Sequence, residues 1–165
     1  MTERKASFAP ITNDGTRLLI LGSLPGEASL AAARYYANPR NQFWRLVGSV
    51  IECDLVGLDY DLRLATLLDH GIGLWDSIGT ATRAGSLDTA IRHVQPNPLA
   101  DLAARLPVLR AVAFNGAKSA VIGMPQLAGA GALELVRLPS SSPAHAALSF
   151  EAKRAQWNCL RKYLR

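Results

Sequence analysis

A few short segments of the chain carry groups that could act on a ligand: Gly22-Ser-Leu-Pro-Gly26, Tyr35-Tyr-Ala-Asn-Pro-Arg-Asn-Gln-Phe-Trp44, Trp75-Asp76-Ser77 and Leu138-Pro-Ser-Ser-Ser-Pro143. The Asn41 amide donates through nitrogen and accepts through oxygen, yet takes up no proton near neutral pH. It can hold a water or the charge of a leaving group, but it cannot serve as a base. Asn41 also stands just ahead of an amphipathic pattern, where Asn is a favoured helix cap worth about 1 kcal/mol, and the two roles are compatible. Ser23 has no basic neighbour in sequence. Its hydroxyl alone cannot supply the ~10²–10⁴ in rate that a positioned acid or base contributes. Asp76 could accept a hydrogen bond from an N–H edge or cap the turn that follows it. Tyr36 offers a ring for stacking or a tyrosine for the core. Gly22, Pro25 and Gly26 would let backbone approach a ligand closely, or form a tight strand-to-helix turn. The hydroxyls and amides of Ser140, Ser141 and Ser142 suit phosphate contacts, though the same residues make ordinary surface turns.

These segments need elements to hold them. Residues 17–23, 72–76, 109–114 and 133–138 are short, nearly continuous apolar runs, each stopped by Gly, Asp, Asn-Gly or Pro. Such runs predict strands buried on both faces. Between them, Phe43, Leu46, Val47, Val50 and Ile51 follow a helical period. A small-residue helix is expected after Gly26. Further helices are expected at 62–68, at 97–106 opened by Asn97-Pro98, and over 149–164. Strand–helix alternation predicts an α/β fold, a three-layer α/β/α sandwich around a central, mainly parallel four-stranded sheet. The ligand then belongs at the carboxyl ends of the strands, where the segments above all lie.

The 165 residues fit one domain, and 49% apolar against 19% charged residues describes a globular chain. No repeat or linker divides it. The apolar runs are too short to span a membrane, and the segment from Met1 to Pro10 does not read as a secretory signal, so cytoplasmic residence is the default expectation. Cys53 and Cys159 cannot make a four-thiolate metal site and read as reduced structural cysteines. His70, His93 and His145 lack metal spacing. The net charge of +5 suits a polyanionic partner. Lys153, Arg154, Arg161, Lys162 and Arg165 read as a solvated face, whereas Arg40 and Arg45 stand beside the candidate site.

Taken together, the Gly22–Gly26, Asn38–Trp44 and Leu138–Pro143 segments resemble the hallmark motifs of the uracil-DNA glycosylase superfamily, most closely its hypoxanthine-DNA (deoxyinosine) glycosylase branch. Motif order and spacing match over nearly the whole chain. The resemblance implies a metal- and cofactor-free, monofunctional enzyme that hydrolyses the N-glycosidic bond of a deaminated base in single- or double-stranded DNA, hypoxanthine first, and acts as a monomer. It implies Asn41 as the catalytic residue. Ser23, Leu24, Pro25, Gly26, Tyr36 and Asp76 would contact the base, and Arg40, Ser140, Ser141, Ser142 and His145 the DNA. Two departures matter. Ser23 stands where most branches place an Asp or Asn that handles the attacking water. His145 follows the Pro-Ser element, whereas other branches place a histidine before it. A uracil glycosylase acting on mismatches, and a nucleic-acid-binding module without chemistry, are the alternatives.

Overall fold

A computed structural model of the chain describes residues 3–165; Met1 and Thr2, the start of the N-terminal segment considered above, lie outside them. In chain order the elements are β1 (Arg4–Ala6), β2 (Leu18–Gly22), α1 (Glu27–Ala32), α2 (Phe43–Ile51), α3 (Tyr60–Asp69), β3 (Ile72–Asp76), β4 (Ile78–Thr82), β5 (Arg92–Pro96), α4 (Leu99–Ala104), β6 (Ala111–Asn115), α5 (Ala117–Leu127), β7 (Glu134–Leu138) and α6 (Phe150–Trp157). Short 3₁₀ segments cover Asp88–Ala90 and Asn158–Tyr163.

The expected central sheet is present, with order β3-β2-β6-β7 and every neighbour parallel. Its strands read as apolar runs because both faces are covered. Leu18, Ile20, Leu74 and Ala113 face one core with Phe43, Leu46, Val47, Trp157 and Leu160. Leu19, Leu21, Val112 and Phe114 face the other with Leu99, Leu102 and Leu127. The chain leaves β2 toward β3 but leaves β6 toward β7, so the connections diverge between β2 and β6. In parallel α/β sheets that divergence opens a crevice at the carboxyl ends.

Several local expectations are corrected. A second, antiparallel sheet of order β1-β4-β5 accompanies the first. Its strands are short and mixed in composition; β4 buries Ile78 and Ala81, while Arg92–Pro96 is mostly exposed and carries no apolar alternation. The segment after β6, given no element from sequence, forms α5 despite Pro125. The last helix ends at Trp157 and continues as 3₁₀ turns. Lys153, counted with a solvated face, is buried. Asn97 does not cap α4. Its amide nitrogen donates to the carbonyls of Asp76 at 2.8 Å and Ile78 at 3.2 Å, and to Ser7 Oγ at 3.0 Å, which ties the two sheets together just beyond β3.

Candidate active site

A cavity of about 330 Å³ lies at the carboxyl ends of the central strands. Gly22 to Ala28, following β2, line it together with Asp76, Asn115 and Ser140 to Ala144, which end or follow β3, β6 and β7. Tyr36, Asn38, Arg40 and Asn41 close it from the loop before α2, and Ser86, Leu87 and Asp88 from the β4–β5 connection. The sheet thus gathers every sequence-predicted site residue except His145, which follows the last lining residue, Ala144; its backbone N–H donates to Ser142 O at 3.0 Å.

Asn41 is fixed in one orientation. Its Oδ1 accepts the backbone N–H of Phe43 at 2.9 Å, restraining the first turn of α2 as an Asx turn does, although the formal cap position falls on Gln42. The oxygen is therefore occupied and the amide nitrogen is left for the cavity, so the turn-restraining bond does not use up the donor. Tyr36 sits beside it with φ of 52°, a left-handed backbone that non-glycine residues adopt at a cost of order 1–3 kcal/mol and that clusters at functional sites. One face of its ring is covered by Phe43, stacked at 3.7 Å between centroids and 11° between planes.

Asp76 ends β3 in register with Gly22. A Cβ on Gly22 would lie 2.6 Å from Asp76 Oδ1 and 3.1 Å from Tyr36 Oη. The glycine thus makes room for two of the protein's own side chains while its backbone lines the cavity. The Asp76 carboxyl is only 4% exposed, and its Oδ2 is buried without a hydrogen-bond partner. Burial pushes its pKa up to about 7, with the Asp88 carboxylate adding to the rise and the Arg83 guanidinium opposing it. An unpartnered buried polar atom costs about 1–3 kcal/mol; such atoms in a cleft await a ligand or water.

Other side chains depart from expectation. Ser23, grouped with the base contacts, donates its hydroxyl to Asp88 Oδ1 at 2.6 Å. Ser141, expected on phosphate, is 1% exposed. Its Oγ and N–H bond Asn115 Nδ2 and Oδ1 at 2.8 and 2.9 Å, and its carbonyl accepts from Gln42 N at 3.0 Å. Ser141 therefore braces the loop after β7 against the sheet and the start of α2, while Ser140 and Ser142 are half-buried. Asn115, read from sequence only as a strand stop, also reaches Tyr36 Oη at 3.3 Å. Arg83, missed altogether, is 1% exposed and donates to the carbonyls of Leu24 and Pro25, clamping the loop after β2. Among the described residues no three His, Cys, Asp or Glu side chains cluster as a metal site.

Comparison with known proteins agrees with this architecture. Residues 9–162 match the sequence profile described as the uracil DNA glycosylase superfamily. A Methanosarcina barkeri protein named hypoxanthine DNA glycosylase is 43% identical over 116 residues, 70% of this chain and 73% of the relative. One of the same name from Methanosarcina acetivorans is 38% identical over 156 residues, 94% and 97% of the two chains. A solution NMR structure of a Methanosarcina acetivorans protein, provisionally described as a uracil DNA glycosylase, superposes with a TM-score of 0.88 at 37% identity, covering 99% of this chain and all of that one. With its profile match running from before β2 to the last 3₁₀ turn, the chain belongs to the uracil DNA glycosylase superfamily.

Proposed function

We propose that the chain excises hypoxanthine from DNA by hydrolysis, leaving an intact strand with an abasic site. The observation that carries this reading is the Asn41 amide, whose oxygen is held by Phe43 N–H so that its nitrogen is presented to a cavity suited to one extruded base. Breaking the C1′–N bond leaves negative charge on the base. A donor placed where charge develops contributes roughly 10²–10³ in rate without any proton transfer, and a neutral amide is such a donor. The free face of Tyr36 stacks on the base, as aromatic walls do in base-flipping enzymes. Asp76 meets the edge of the base, and its unpartnered Oδ2 gains a hydrogen bond there. The backbone of Leu24, Pro25 and Gly26 forms a further wall. Arg40, Ser140 and Ser142 at the mouth, with His145 just beyond Ala144, hold the DNA backbone. Among the described residues no lysine lines the cavity, which supports hydrolysis without a Schiff base and without strand cutting. The names of the Methanosarcina relatives support hypoxanthine as the base.

The test is a single-turnover assay with duplexes carrying hypoxanthine, xanthine or uracil. Hypoxanthine release is expected, and Asn41→Ala should slow it about 10²-fold or more. Asn41→Asp should be equally slow, because its second carboxylate oxygen would face the departing anion. Release of uracil alone would reassign the substrate, and no release from any duplex at enzyme excess would leave only a binding module.

A further inference from the structure

We propose that Asp88 is the carboxylate that takes the proton of the attacking water, with Ser23 as the hydroxyl that holds it in place. The inference rests on the glycosylase reading above. Hydrolysis needs water oriented toward C1′ and, as its oxygen bonds to carbon, a group to receive its proton. Near neutral pH the asparagines, the serines, the protonated tyrosines Tyr35 and Tyr36 and the Arg40 guanidinium lining the cavity cannot be that group, which leaves the carboxylates Glu27, Asp76 and Asp88.

Position separates the three. Glu27 pairs with Lys5 on an exposed rim. Asp76 lies at the floor, 4% exposed at the end of β3. A base extruded from a duplex enters edge first, so the floor meets its edge while the sugar stays nearer the mouth. Asp88 is half-buried on the wall, on the 3₁₀ turn that the β4–β5 connection sends to the cavity. One oxygen, Oδ1, accepts the Ser23 hydroxyl at 2.6 Å, a short charge-assisted bond. Oδ2 accepts no hydrogen bond from the described residues. Ser23 is itself 8% exposed and begins the loop after β2, and Arg83 clamps the next two carbonyls of that loop. The carboxylate is thus anchored on one oxygen and open on the other, as a water-orienting group must be. Two carboxylates in one cavity, one on a dry floor and one on a wetter wall, are set up for different tasks.

In the step, Asp88 Oδ2 takes one proton from the water as its oxygen bonds to C1′. The C1′–N bond breaks and its electron pair leaves on the base, where Asn41 Nδ2 donates to it. The released base then takes up a proton and Asp88 returns its own to solvent, so that one water is consumed and the phosphodiester backbone is untouched.

The experiment compares full-length wild type, Asp88→Asn and Asp88→Ala on a hypoxanthine duplex at enzyme excess, with affinity for an abasic-analogue duplex measured in parallel. Asn at 88 keeps the shape and can still accept from Ser23. The rate should fall about 10²-fold or more, with DNA affinity unchanged. Sodium formate, a free carboxylate, should speed Asp88→Ala relative to sodium chloride of equal ionic strength. A wild-type rate in Asp88→Asn overturns the proposal, as does a loss of rate matched by an equal loss of affinity, or equal Asp88→Ala rates in the two salts. An inactive wild type overturns the glycosylase reading itself, whereas an active wild type with an equally active Asp88→Asn overturns only the role of Asp88.

Discussion

Asp76 shows how a candidate site residue acts against the fold that holds it. Its carboxyl ordinarily titrates near 3.8, and burial raises it to about 7, helped by Asp88 and opposed by Arg83. Between those pH values the folded chain keeps a proton that the unfolded chain gives up. Stability is therefore greatest below about pH 4 for this group and falls as pH rises toward 7, by at most about 4 kcal/mol at 1.36 kcal/mol per unit. Above pH 7 the penalty is constant. Asp76→Asn removes it with little change of shape. The variant should melt at nearly the wild-type temperature at pH 4.5 and clearly above it at pH 8. Equal differences at both pH values would mean that the carboxyl is not desolvated as its 4% exposure implies. A residue kept at such a cost fits a role toward ligand, and its unpartnered oxygen points to the same role.

At the scale of elements, the strand ends are held by side-chain bonds that cross the chain. Asn115, at the end of β6, bonds both Oγ and N–H of Ser141 and so fixes the loop after β7. Asn115→Ala leaves that buried N–H without a partner, at a cost of about 1–3 kcal/mol. Denaturant unfolding should show that loss, and base release should slow because the loop contacts Gln42 beside Asn41. Unchanged stability would show that water replaces the amide. The central sheet was legible in the sequence because burial on both faces leaves apolar runs such as Leu18–Leu21. The place of Ser23 and Asp76 beside the cavity was legible because they follow and end strands, whereas Tyr36 and Asn41 were singled out as site candidates through the family resemblance. Asp88 was not. It lies in the polar stretch Ala84–Thr89, which reads as a surface turn, and its partner Ser23 is 65 positions away. The β1-β4-β5 sheet was hidden because its strands are short and carry few apolar residues: β4 buries Ile78 and Ala81, and β5 is mostly exposed. Asn97 misled because Asn-Pro is a standard helix opening, while its side chain is spent on joining the two sheets.

For the molecule as a whole, the excess of 18 basic over 13 acidic residues sets how it meets DNA. Each phosphate neutralised by Lys or Arg releases condensed counterions, so log affinity falls linearly with log salt at about −0.9 per contact on duplex DNA. Such contacts place the chain on the backbone and carry no base information. In the proposed reading discrimination falls to the cavity, where Asn41, Tyr36 and Asp76 are neutral or buried groups that salt screens little. The two functions should therefore separate. Binding to an undamaged duplex should weaken steeply from low to physiological salt, while the single-turnover rate at saturating enzyme should hardly change. Among the described residues Arg40 is the one basic side chain that lines the cavity, and it is exposed. Arg40→Ala should make the salt slope shallower by about one contact, roughly 0.9, with little effect on saturated rate. Asn41→Ala should do the reverse, keeping the slope and losing the rate. Fluorescence anisotropy over a salt series, beside the release assay, reads both. A salt-independent affinity would show that the positive charge is not what brings the chain to DNA. An Arg40→Ala variant whose saturated rate collapses would place Arg40 in the chemistry instead of on the backbone.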